Sequence, residues 1–116
     1  MNDRIDAAFH AEWLAAATAR SAGDHATAMR HLERAHILGQ RRTALHVRSH
    51  VGMLALAWQR RDRREIIGQL ARIAAAALFS RLWVPTGNTG GTDVSAFRRM
   101  PVPEDLREVL TRTREP

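Results

Sequence analysis

The sequence predicts an all-α protein: a four-helix array of two antiparallel helical hairpins, followed by a Gly-rich loop and a short C-terminal helix. Three observations predict it. Apolar side chains recur every three or four residues in four successive stretches, helix-breaking and helix-capping residues separate those stretches, and the separators are short. Short connections make consecutive helices antiparallel neighbours. The pattern leaves open whether the array is a small bundle or a tetratricopeptide-like layer.

The first stretch runs from about Asp3 to Arg20, with Ile5, Phe9, Trp13 and Ala16 as its apolar stripe and Asp3 placed to cap it. Ser21-Ala22-Gly23-Asp24 then breaks the pattern. Asp24 is a good N-cap for a second helix through Ala28, Leu32 and Ala35 to about Leu38. Gly23, Ala28, Leu32 and Ala35 also echo the second half of a tetratricopeptide repeat, whereas the first half lacks its usual Trp and Tyr positions. Gly39 to Arg42 reads as a turn, with Gly39 at a C′ position that tolerates positive φ and Thr43 capping the next helix. That third helix spans Thr43 to about Arg60, with Leu45, Val47, Met53, Leu54 and Trp58 apolar, of which Met53, Leu54 and Trp58 read as core.

Asp62 starts a fourth helix through Ile66, Ile67, Leu70 and Ile73 to about Phe79. Within it Gly68 costs about 1 kcal/mol relative to Ala, which points to a close helix approach at Gly68-Gln69, against the second and third helices. Pro85 to Gly91 cannot continue a helix and forms the Gly-rich loop. It is not a phosphate-binding Walker loop, because no Gly-Lys-Ser/Thr follows. Val94 to Met100 reads as extended, and Pro101-Val102-Pro103 leads into a short helix from Glu104 to about Thr111 that packs back on the array.

At 116 residues the chain is long enough for one core and reads as a single helical domain, residues 1–116. It has no cysteine, which removes disulfides, thiolate ligands and a cysteine nucleophile. Any bound metal would therefore sit among imidazoles and carboxylates. The charged N-terminus lacks the apolar core of a signal peptide, and no uncharged apolar run reaches the roughly 18 residues of a membrane span. The expectation is a cytoplasmic protein with no membrane partner. Its net charge of +6 comes entirely from arginine, spread along the chain without aromatic interleaving, so nucleic acid is not the expected partner.

The chemistry gathers between His31 and His50, which holds four of the 6 histidines. Glu33 and His36 are three apart and His46 and His50 four apart, so each pair lies on one face of its helix. Across a tight turn the four side chains can converge. A Glu-x-x-His pair facing a His-x-x-x-His pair is how helical bundles hold transition metals, and three imidazoles with one carboxylate suit zinc first, with copper or iron as alternatives. A second Glu-x-x-His, which a di-iron centre would need, is missing. His10 and Glu12 on the first helix are candidate additional contacts, His31 points about 140° away from His36 on an ideal helix, and His25 sits in a turn. The last two read as solvated. Met53 reads as core and not as a soft copper ligand.

The segments HLERAHILGQ, HVRSHVGML, GQLARIAAA, PTGNTGG and MPVPEDL, in this order, resemble the bacterial family catalogued as domain of unknown function 3703. The resemblance covers nearly the whole chain and implies a small helical protein, without an assigned reaction. Glu33, His36, His46, His50, Gly68-Gln69 and the Gly87 to Gly91 loop are the positions that carry it. Metal binding for buffering, sensing or handling is thus the first expected function. A metal-free helical module for a protein or nucleic-acid partner, with the histidines tying helices together, is the second, and a small metal-dependent hydrolase the third. A homodimer is a further expectation, since a second copy could complete a partial site or cover an apolar helix face.

Overall fold

The computed structural model describes residues 3–79, 88–91, 95 and 98–112. Its helices are α1 (Asp3–Ser21), α2 (His25–Gly39), α3 (Thr43–Arg60), α4 (Arg63–Phe79) and α5 (Glu104–Arg112). The order matches the two hairpins and C-terminal helix anticipated above. Pro85 to Gly87 of the Gly-rich loop and residues 94, 96 and 97 of the expected extended stretch lie outside the described residues.

Local chemistry explains most boundaries. Gly23 takes φ +77° in the first turn, and Asp24 caps α2 by accepting a hydrogen bond from the Thr27 amide at 3.1 Å. Asp62 does the same for α4 toward the Glu65 amide, also at 3.1 Å. Ahead of it, α3 ends in a left-handed Arg61 (φ 56°), with the Arg61 and Asp62 amides donating to the Trp58 and Ala57 carbonyls.

The middle turn is built differently from expectation. Gly39 is the last residue of α2 and not a positive-φ C′ residue, since Gln40 after it is still right-handed (φ −54°, ψ −36°). What selects glycine there is space: a Cβ would stand 2.6 Å from Leu45 Cβ and 3.3 Å from Phe9 Cε2. Thr43 does not cap α3 either; it is the first helical residue, and Arg42 fills the N-cap position without a side-chain hydrogen bond. The turn is set by the tight approach of two helices.

Each of the first four helices packs on its neighbour in sequence, α1 on α2, α2 on α3 and α3 on α4, while α5 lies against α1 and α2. Among the described residues no comparable contact joins α1 to α4. One core cluster joins Ala16, Ala28, Leu32, Met53 and Leu56 across the first three helices. Gly52 makes that closeness feasible, because a Cβ there would meet Leu32 Cδ2 at 2.7 Å and Trp13 Cζ3 at 2.9 Å. A second cluster of Ile37, Leu38 and Leu106 seats α5, which is also tied down by the ion pair of Arg34 with Asp105.

Trp58 corrects the sequence reading: it is 72% exposed and not core. It lies about 140° round the helix from Met53, off the stripe that faces the neighbouring helices. Val51 on α3 and Ile67, Leu70 and Leu78 on α4 are exposed as well. No helix among the described residues is long and apolar enough to cross a membrane.

Candidate metal centre

His36 lies one turn from the C-terminal end of α2, and His46 and His50 occupy successive turns at the start of α3. The tight 40–42 turn folds these helices back to back. All three rings are buried, with 3%, 8% and 3% of their residue surface exposed. Their ligand atoms lie within 4.8 Å of one another. His46 Nε2 is 3.0 Å from His36 Nε2 and 3.3 Å from His50 Nε2. With a metal–nitrogen bond of about 2.0–2.1 Å, a tetrahedral ion would set its donors roughly 3.3–3.4 Å apart. The two separations are close to that edge length.

Two of the three rings are fixed in the tautomer that aims a lone pair at the common point. His36 Nδ1 donates to the Asn88 carbonyl at 2.8 Å, which leaves its Nε2 unprotonated in the neutral ring. His50 Nδ1 is 2.6 Å from Gln69 Oε1. The Gln69 amide nitrogen faces the Glu65 carboxylate at 2.8 Å, the Gly90 carbonyl at 3.0 Å and Met53 Sδ at 3.3 Å, so its oxygen must face His50. His50 therefore donates through Nδ1 and also keeps Nε2 free. His46 Nδ1 is buried and has no hydrogen-bond partner among the described residues.

A loop packs against one side of the cluster. Gly90 has φ +83° and lies against His36, where a Cβ would stand 2.6 Å from Cδ2 and 2.8 Å from Nε2. Only glycine meets both requirements. The Asn88 side chain braces the loop, accepting from the Gly90 amide at 2.9 Å and donating to the Ser95 and Arg98 carbonyls, each at 2.7 Å. Arg72 donates to the Gly90 carbonyl at 2.6 Å and also to the Gly91 carbonyl.

Burial keeps all three imidazoles neutral. It lowers His46 to about 4, and lowers His50 to about 4 against the opposing effect of the Gln69 hydrogen bond. His36 is held well below the ordinary histidine value by burial and by its two histidine neighbours. Neutral rings, two of them with lone pairs held inward, suit a transition metal, which binds unprotonated imidazole nitrogen.

Of the residues singled out from sequence, His36, His46 and His50 are brought together and Glu33 is not. Glu33 is half-buried on α2 and outside the group of converging ligand atoms. A spacing of three leaves it about 60° round the helix and one turn below His36, which is enough to miss a point set by two residues of α3. His10 is exposed. Glu12, considered as an outer contact, instead accepts from Arg34 Nε and pairs with His31 Nδ1, both at 2.7 Å. That pairing corrects the reading of His31 as merely solvated. His25 opens α2 and is half-buried. Met53 is core, as expected, at 0% exposure. The sequence pattern marks Gln69 only for helix approach and Asn88 only as a loop residue. Their sequence signals are the glycines beside them, Gly68 and Gly90.

Fold and site together define a small all-α protein with a buried three-histidine cluster against which a glycine-containing loop packs. The chain belongs to the family described as "Protein of unknown function (DUF3703)", whose model matches residues 3–110. No curated protein and no solved structure matches it.

Proposed function

We propose that this protein binds one transition-metal ion through His36, His46 and His50, and that it serves in metal buffering, sensing or handling. The observation that carries the reading is the convergence of three Nε2 atoms, two of them held as lone-pair donors by Nδ1 hydrogen bonds to Asn88 and Gln69. Such outer partners orient ligating histidines and raise their basicity. Zinc is the first choice for an all-imidazole tetrahedral set, and copper and iron are the alternatives. Glu33 is left out of the proposed ligand set.

The test is elemental analysis of untagged protein purified without chelator, beside a His46→Ala, His50→Ala double variant. The expected result is about one equivalent of a single metal in the parent, lost in the variant, with helix content preserved. Parent protein that holds no metal and takes up none of Zn, Cu, Fe, Ni or Co would overturn the reading. It would favour the interaction module instead, for which the exposed Trp58, Ile67, Leu70 and Leu78 speak.

A further inference from the structure

Building on the metal reading, we infer that the bound ion takes its fourth ligand from solution and that this ligand is a small anion, hydroxide in water and azide-sized species in competition with it. The three histidine nitrogens form one triangular face, with edges of 3.0 and 3.3 Å measured at His46. A tetrahedral ion seated on that face directs its remaining bond away from all three rings. Among the described residues no fourth His, Cys, Asp or Glu joins the group of converging ligand atoms. Three protein ligands with an exogenous fourth is the arrangement of reactive zinc sites, whereas structural sites supply all four from the protein.

Charge selects the class of ligand. Neutral imidazoles do nothing to offset a divalent ion, and an uncompensated charge in a buried site is costly. Among the described residues, the charged groups bonded to the partners of the cluster include Arg72, on the Gly90 and Gly91 carbonyls, and Glu65, which accepts from the Gln69 amide at 2.8 Å. They carry opposite signs and offset each other, so the ion's own charge remains to be balanced. A metal-bound water meets that need by releasing its proton to solvent, since coordination to zinc brings its pKa to about 7. Gly90 lies directly against His36, so the loop flanks the site on that side.

Cobalt(II) substitution with azide as the probe tests this. Loading metal-free protein with one equivalent of Co(II) should give the intense visible bands of a four-coordinate centre, absent from the His46→Ala, His50→Ala variant. Adding azide should then shift those bands saturably. Co(II) bands that azide leaves unchanged would show that the protein closes the coordination sphere itself, which overturns the inference while leaving the metal reading intact. Protein that takes up no Co(II) at the histidines would overturn both.

Discussion

Replacing Gly90 by alanine tests how the loop and the histidine cluster depend on each other. The new Cβ would stand 2.6 Å from His36 Cδ2, 2.8 Å from Nε2 and 2.9 Å from Cγ, whereas ordinary contact begins at 3.4 Å. Either the ring or the loop must retreat by about 0.8 Å at the closest point, against a tolerance of roughly 0.2 Å in metal–ligand distance. The ring cannot slide freely, because its Nδ1 is tied to the Asn88 carbonyl at 2.8 Å. Backbone strain adds to this: an L-residue in the left-handed region costs roughly 1–2 kcal/mol, and overpacking typically 1–3 kcal/mol more. The expected outcome for Gly90→Ala is a loss of about 2–5 kcal/mol of stability in urea unfolding of the metal-free protein. Zinc affinity should fall at least tenfold in competition with a chromophoric chelator. Gly23→Ala separates the contributions, since Gly23 has φ +77° with nothing within 4 Å of its would-be Cβ. It should show the strain alone, about 1–2 kcal/mol, with zinc affinity unchanged. A Gly90→Ala protein no less stable than Gly23→Ala, and binding zinc within threefold of the parent, would refute the reasoning.

Two further outcomes are expected. Gln69→Ala removes the acceptor of His50 Nδ1, so zinc affinity should drop about 10- to 100-fold with stoichiometry retained; chelator competition checks this, and an unchanged affinity would mean that Gln69 does not orient the ring. Metal-free protein should lose stability in mild acid, because His46 and His50 stay neutral down to about 4 when folded but take up protons near 6.5 when unfolded. Their contribution is complete above about pH 6.5, declines from there to about pH 4, and amounts to on the order of 3 kcal/mol per histidine. Denaturant midpoints measured from pH 7.5 to 4.5 should trace that decline, more weakly in the His46→Ala, His50→Ala variant; matching slopes in the two proteins would count against it.

Helix order and the course of the hairpins were legible in the chain because periodicity and capping act within a few residues. Asp24 and Asp62 cap as their positions imply, and α3 spans Thr43–Arg60 as the pattern implies. The same local logic misread Gly39, whose small size answers Leu45 and Phe9 on other parts of the fold and not its own φ. It misread Trp58 because an apolar side chain near a helical stripe is not necessarily on it. Sequence spacing nominated four residues for one point, and only packing could choose among them: the approach of α3 to α2 brings His46 and His50 to His36 and leaves Glu33 aside. It also sends Glu12 to His31 and Arg34. The return of the Asn88–Gly91 loop over His36 was beyond reach for the same reason, since 52 residues separate the His36 ring from the carbonyl that fixes its tautomer. Short-range spacing alone determines which side chains share a helix face. Where faces meet, and which loop closes over them, depends on contacts between residues far apart in the chain, and those exist only in the folded molecule.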